Sequence, residues 1–362
     1  MSVGQVFPEQ YSEQLTDKVN AVQQLLSDFN APEAEIFRSE PDHYRLRAEF
    51  RIWHNGDDIY HAMFDSQTRD KVRIDHFPVA CRTIADFMPV LLENIQFNHE
   101  LRYKLYQVDY LATLSGELLV SLIYKRPLTN SWLEQARALT EALSAHYKVK
   151  FIGRSRKQKL MVSDDYVTEQ FELEGQQLRY QQVEGSFTQP NGEVNRKMLS
   201  WAKAISQQLS GDLLELYCGN GNFSIALAPC FDQVIATEIS RTSIKSAQYN
   251  ITLNNVTNLQ VLQMPAEDVS AALQHGSKLK QLDLTEMQLG TVLVDPPRAG
   301  LDDGTVQLVS RFNDILYISC NPETLAQNLQ VLIQSHDIVK LAVFDQFPYT
   351  HHIETGVWLR KR

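Results

Sequence analysis

No apolar run in this 362-residue chain approaches the roughly 20 residues needed to cross a bilayer. The first residues, Met1 to Asn20, are polar and acidic, without the basic start and apolar stretch of a secretory signal. Cysteine is scarce: four residues, at 81, 218, 230 and 320, lie too far apart for a metal-ligand or disulfide pattern, as expected in a reducing cytoplasm. Positive charge is also in deficit, with 34 Lys and Arg against 44 Asp and Glu and a formal net charge of -10. Such a chain has no general attraction for polyanions, so any RNA binding must rest on locally basic surface.

What is present describes a soluble globular protein, with 43% hydrophobic residues and a mean hydropathy of -0.29. The length allows about two domains. In the first half, Tyr44, Leu46, Ala48, Phe50 and Ile52 alternate with Arg45, Arg47, Glu49, Arg51 and Trp53, the period of a half-buried strand. Asn55-Gly56 suits a hairpin turn into a second strand, Ile59 to Phe64, and Lys71 to His76 alternates again. Helical patterns follow at about Val79 to Asn98 and Trp132 to His146, with strands near Leu105 to Leu111, Leu118 to Tyr124 and Val149 to Ile152. This is α+β organisation. After Asn191 apolar strands and helices alternate, with strands at Asp212 to Leu216, Val234 to Thr237, Leu259 to Met264, Thr291 to Val294, Leu316 to Ile318 and Ile338 to Phe344. That rhythm predicts a doubly wound, mostly parallel α/β sheet. The boundary falls in the polar stretch Gly185 to Gly192, dividing the chain into domains of 1–188 and 189–362.

Leu213-Leu214-Glu215-Leu216-Tyr217-Cys218-Gly219-Asn220-Gly221-Asn222 reads as a buried strand, a glycine turn and the start of a helix. Gly219 and Gly221 let backbone N–H groups approach a ligand, and Glu238 ends the next strand at about the 20-residue spacing of a ribose-binding carboxylate. The bland alternative is a tight turn with no ligand. A dinucleotide would call for a third glycine that the chain lacks; S-adenosylmethionine carries no phosphate and suits the shorter turn.

Cys320 stops the apolar pattern Ile315-Leu316-Tyr317-Ile318-Ser319 just before Asn321-Pro322. Taken alone, such a cysteine is more often inert core than nucleophile. Asp295, fixed by Pro296-Pro297, ends the preceding strand at the same carboxyl edge of the sheet, unless it merely closes a turn. Glu354 closes the polar, aromatic stretch Asp345-Gln346-Phe347-Pro348-Tyr349-Thr350-His351-His352-Ile353, as a general base or, with the histidines, as a metal ligand. Addition of a thiolate to carbon 6 of uracil makes carbon 5 able to attack a methyl donor, after which a base must remove the carbon 5 proton. Cys320, Glu354 and Asp295 fit nucleophile, base and orienting carboxylate. A free thiol has a pKa of roughly 8.5 that must fall for this work, and no sequence neighbour of Cys320 is cationic.

Four segments, Glu215 to Phe223, Asp295 to Asp302, Ser319 to Leu325 and Asp345 to Glu354, resemble in order the motifs of the RNA 5-methyluridine methyltransferase family, in its tRNA branch. The likeness extends through the Tyr44-to-Phe64 region and Phe187-Thr188-Gln189-Pro190. It implies a Rossmann-like class I methyltransferase domain after an α+β RNA-binding domain, with Cys320 as nucleophile, Glu354 as base, and Gln189, Tyr217, Asn222, Glu238 and Asp295 lining the S-adenosylmethionine site. The ribosomal-RNA branch usually carries an amino-terminal cysteine cluster for iron and sulfur, which Cys81 alone cannot form, so no iron–sulfur cluster and no metal are expected. The implied product is 5-methyluridine in the tRNA T-loop, made by a monomer, and some tRNA-type members also act on transfer-messenger RNA.

Arg45, Arg47, Arg51 and Trp53 on one strand face are candidates to grip phosphates and stack on an unpaired base, with Phe187 or Tyr349 helping the target leave its loop stack. A second basic run is Arg154-Ser155-Arg156-Lys157-Gln158-Lys159. Either run is as easily a solvated charged face. The rival reactions fit less well: a cytosine-5 enzyme would carry a second cysteine where Pro296-Pro297-Arg298 stands, and amino methylation would favour an aromatic residue at Arg298. Other RNA uridines, or a non-catalytic RNA-binding or chaperone role, remain the alternative functions.

Overall fold

The computed structural model describes residues 4–65, 67–266, 268–269 and 287–362. They form two compact units. One comprises residues 4–8, Glu40–Phe171 and Gln181–Gly192; the other comprises Glu9–Ser39, Glu172–Tyr180 and Glu193–Arg362. The division therefore differs from a single cut at residue 188: residues 9–39 belong with the carboxyl-terminal half. The physical reason is strand pairing, since β1 (Glu35–Phe37) is hydrogen-bonded in parallel to β16 (His336–Phe344).

In the first unit the strands β2 (Arg47–Asn55), β3 (Asp58–Phe64), β4 (Lys71–Arg73), β5 (Leu105–Ala112), β6 (Glu117–Tyr124), β7 (Lys148–Ser155) and β8 (Gln158–Met161) form one sheet of order β4-β3-β2-β5-β6-β7-β8. Helices α2 (Arg82–Ile95), α3 (His99–Arg102) and α4 (Asn130–Leu143) accompany it. Only β6 and β7 pair in parallel, because α4 supplies the crossover between them. The alternation seen from Tyr44 onward sorts as expected: Tyr44, Leu46, Ala48, Phe50 and Ile52 are all buried, whereas Glu49 and Trp53 are exposed. A hairpin of β9 (Tyr166–Leu173) and β10 (Gln176–Val183) precedes the second half of the chain.

The second unit holds helices α1 (Tyr11–Leu25), α5 (Gly192–Ser206), α6 (Asn222–Leu227), α7 (Arg241–Leu253), α8 (Asp303–Val309) and α9 (Pro322–Leu332). Its strands β11 (Asp212–Leu216), β12 (Val234–Glu238), β13 (Leu259–Gln263), β14 (Leu289–Val294), β15 (Asp314–Ser319) and β17 (Glu354–Lys361) join β1 and β16 in the order β1-β16-β17-β15-β14-β11-β12-β13. All neighbours pair in parallel except at β17, which runs antiparallel to both β15 and β16. Every residue of β11 is buried, the mark of a central strand covered on both faces. The doubly wound sheet is thus as expected; α1, β1 and β17 are additions to it. Among the described residues no helix is long and apolar enough to cross a membrane.

Candidate active site

Two sheet registers bring the predicted reacting groups to one edge of the second unit. β15 and β17 pair from Asp314↔Arg360 to Ser319↔Thr355, so the next pair in this register is Cys320 and Glu354. β14 pairs with β15 as far as Val294↔Tyr317, which sets Asp295 level with Ile318, two residues before Cys320. The backbone at this edge is tied down. Asn321 caps α9 by accepting from the Glu323 N–H at 3.1 Å, and its Nδ2 donates to the Arg298 carbonyl at 3.1 Å. Gly300 has φ of +75°, and a Cβ there would stand 2.9 Å from Asn328 Oδ1, the atom that receives the Leu301 N–H. The Pro296-Pro297-Arg298 turn and the start of α9 are therefore one bolted assembly.

Cys320 is only half-buried and lines a cleft of about 710 Å³ with Lys18, Arg298, His351 and His352 among its walls. Cys218, by contrast, is buried, and its thiol is pushed far up by burial. Desolvation, then the charges of Glu354 and Asp295, push the Cys320 thiol up to about 11, against a lowering by Arg298. Burial raises Asp295 to about 7, and burial together with Asp295 raises Glu354 to about 8. At neutral pH Cys320 and Glu354 are therefore largely protonated and Asp295 is about half so. Arg298 is the cation that sequence inspection could not supply, being adjacent to Cys320 in space but 22 positions away along the chain. Its Nη2 lies 3.1 Å from His352 Nε2, and desolvation, then Arg298, hold that imidazole below its usual pKa. The start of α9 adds a partial positive charge beside Cys320. Alkylation of Cys320 by iodoacetamide is accordingly expected to be slow at pH 7 and to rise about tenfold per pH unit towards about 11, because only the thiolate reacts. Peptide mass spectrometry follows this, and a plateau already at pH 8 would contradict it.

The glycine turn is built with positive φ at three positions: Tyr217 (63°), Gly219 (55°) and Gly221 (86°). A non-glycine residue in this region is strained, and strain of this kind collects at binding sites. The Gly219 N–H donates to Glu238 Oε2 at 3.0 Å, while the N–H groups of Ile239 and Ser240 donate to Oε1 at 2.9 and 2.8 Å. Asn222 forms a reciprocal amide pair with Asn195 of α5 at 2.9 and 3.0 Å, so both of its amide atoms already have partners in this form. Asn195 gave no sequence signal. Glu215 lies beneath the turn, fully buried, with Ser224 Oγ donating to it; burial raises it to about 8. Among the described residues no group of three or more His, Cys, Asp or Glu could hold a metal, although His351 and His352 have ring centroids 3.9 Å apart.

Residues 10–362 match the family model described as tRNA (Uracil-5-)-methyltransferase. The chain belongs to that family. It is 53% identical over 358 residues, 98% of either chain, to the tRNA/tmRNA (uracil-C(5))-methyltransferase of Shewanella amazonensis. It is 52% identical over the full length of both chains to the protein of the same name from Pseudoalteromonas translucida. The fold is that of a Pyrococcus abyssi tRNA (uracil-54, C5)-methyltransferase solved with S-adenosyl-L-homocysteine, with a TM-score of 0.70 and 22% identity over 96% of this chain and 83% of that one.

In this uracil-5 methyltransferase chain the donor set suits S-adenosylmethionine. Gly219 has open space where a Cβ would stand. Glu215 and Asp295, raised by burial to about 8 and about 7, are carboxyl groups whose ionised form a bound sulfonium cation would favour and a diphosphate would oppose. Gln189 belongs to the first unit and is half-buried.

Of the predicted RNA-contacting residues Arg45, Arg47, Arg51, Trp53 and Phe187 lie in the first unit and Tyr349 in the second, and they differ in what they already do. Arg45 Nε donates to the Arg47 carbonyl at 2.9 Å, and Arg47 Nη1 donates to the Ser186 carbonyl at 3.1 Å. Both are partly spent on local structure. Arg51 stacks 4.2 Å from the Tyr106 ring and lines, with Trp53, Phe64, Lys104 and Lys125, a groove of about 720 Å³. Lys71 Nζ sits 3.7 Å over the exposed Trp53 ring, and Phe187 is 75% exposed. In the second basic run Arg154 and Lys159 are both paired with Glu184, leaving Arg156 and Lys157 exposed.

Proposed function

We propose that this chain methylates carbon 5 of the T-loop uridine of tRNA, giving 5-methyluridine, through a bond between Cys320 and carbon 6 of the base, and that it accepts the tRNA-like part of transfer-messenger RNA as well. The observation that carries this reading is the β15–β17 register, which continues to Cys320 opposite Glu354 with Asp295 on the next strand. Membership of the uracil-5 family and the tRNA/tmRNA names of its relatives support the substrate.

Cys320 gives its proton to solvent and its sulfur bonds to carbon 6, opening the carbon 5–carbon 6 double bond and making carbon 5 a nucleophile. S-Adenosylmethionine, when bound, supplies an electrophilic methyl group. Glu354 then takes the carbon 5 proton, the carbon 6–sulfur bond breaks, and the thiolate returns. Arg298 offsets negative charge at both Cys320 and Glu354, which favours the ionised form of each. Asp295 holds the base or the methyl donor from the adjacent strand. Tyr217, Gly219, Gly221 and Glu238 hold the donor, with Asn222 shaping the turn through Asn195. Arg51 and Trp53, with Tyr106 and Lys125, give the first unit a basic and aromatic groove suited to phosphates and unstacked bases, supported by Arg45, Arg47 and Phe187.

The test is incubation with tRNA containing 5-fluorouridine and S-adenosylmethionine. Fluorine cannot leave as a proton, so a denaturation-resistant protein–RNA complex at Cys320 is expected on a gel. No such complex, with ordinary tRNA also unmethylated, would sink the reading.

A further inference from the structure

Helix α1 plays no part in the scheme above, yet one of its faces is occupied by the catalytic unit's own loop. Tyr11, Gln14 and Lys18 are spaced three and four residues apart and so share a side of the helix, while Leu15, Val19 and Val22 beside them are buried in the core. All three meet the segment that leads from β16 to Glu354. Lys18 Nζ donates to Asp345 Oδ1 at 2.7 Å and to the Phe347 carbonyl at 2.9 Å. Gln14 Nε2 donates to Asp345 Oδ2 at 3.2 Å, and its Oε1 accepts the Tyr349 N–H at 3.3 Å. The rings of Tyr11 and Tyr349 meet edge-on at 6.2 Å. From the other side the Asp345 N–H donates to the Phe37 carbonyl at 3.0 Å, extending the β1–β16 ladder by one residue.

The ion pair is deep: the Lys18 side chain is 8% exposed and that of Asp345 is 0% exposed. Buried pairs are poor sources of stability, because desolvation offsets their attraction, so what this pair does is better sought in what it holds in place. Beyond Asp345 the loop carries His351 and His352 into the Cys320 cleft, which Lys18 also lines, and it ends at Glu354.

We propose that Lys18 is a positioning residue for the proton-removing step: paired with Asp345 beneath α1, it locks residues 345–353 so that Glu354 is held against the Cys320-bound base. The proposal rests on the roles given above to Cys320 and Glu354. Its subject is a group outside all the sequence motifs, acting through the loop and touching neither reacting atom.

The test compares wild type with Lys18→Met/Asp345→Asn, which removes both charges and leaves neither buried ion unpaired, and with Asp345→Asn alone, which keeps an acceptor oxygen for Lys18 and is read if the double variant does not fold by thermal unfolding. Turnover on unmodified tRNA, KM for tRNA, donor affinity by calorimetry and the fraction of enzyme trapped as covalent RNA adduct are measured together. A loss of kcat of about 10- to 100-fold is expected, with KM and donor affinity within about twofold and a clear rise in trapped adduct. A merely structural role would not raise the adduct. Turnover of a folded variant within about twofold of wild type, or a loss of kcat without added adduct, would overturn the assignment. Wild type that neither methylates tRNA nor traps on 5-fluorouridine tRNA would overturn the parent reading with it, whereas active wild type beside an unaffected variant overturns this one alone.

Discussion

Cys320→Ala is expected to lower methyl transfer to tRNA by on the order of 10⁴-fold or more, the scale on which covalent catalysts lose activity when the nucleophile goes. Carbon 5 of uracil attacks a methyl donor only after carbon 6 has been attacked, and no other thiol is placed to do this: Cys218 is buried, Cys230 stands before the amino end of β12, away from the carboxyl edge, and Cys81 packs against the first unit's own core. The substitution removes one sulfur from a half-buried position at a cleft wall, so folding and donor affinity should stay close to wild type. Stopped-assay methylation and calorimetric titration with S-adenosylmethionine check the two halves. Residual turnover of even one part in a hundred would require a different nucleophile.

Glu354→Gln has the second largest expected effect, a loss of about 10²- to 10⁴-fold in turnover, the range of general acid–base catalysis. Unlike the cysteine variant, it should still form the bond to carbon 6. The covalent adduct with ordinary tRNA should therefore accumulate and survive denaturation, and an inactive variant with no adduct would move Glu354 to an earlier step. A stability readout accompanies it. Glu354 is 5% exposed and raised to about 8 from an unfolded value of 4.5, so the folded state binds more protons than the unfolded one between those pH values. Stability contributed by this group is then present below about 4.5 and is lost as pH rises through about 8. Gln keeps the volume without the ionisation, so its melting temperature should exceed that of wild type above pH 8.

The alternation at Tyr44 to Trp53 and the strand–helix rhythm after Asn191 could be read directly, because period-2 burial and fully apolar central strands leave strong local patterns. Cys320, Asp295 and Glu354 were legible for a similar reason: each stands at a strand end beside a proline or a polar turn. What was not legible depends on contacts between distant segments. Tyr11, Leu15, Val19 and Val22 recur at helical spacing and could have marked α1, but the polar residues around them masked it. Nothing in Glu35-Ile36-Phe37 names β16 as its partner, and Arg298 drew notice only for what it excluded. Asn195 and Lys18 are ordinary polar residues on helices until the fold shows what they face.

The β1–β16 pairing also bears on how the chain is made. Glu35 and Lys340, joined at 3.0 Å, stand 305 positions apart, so the second unit cannot close until nearly the whole chain has left the ribosome. Glu40–Phe171 has its own buried core and can fold in the meantime as an insertion within an unfinished host. Removing the first 39 residues would therefore take away a sheet edge and the helix that clasps the segment between β16 and Glu354, and so would cut into the enzyme's frame.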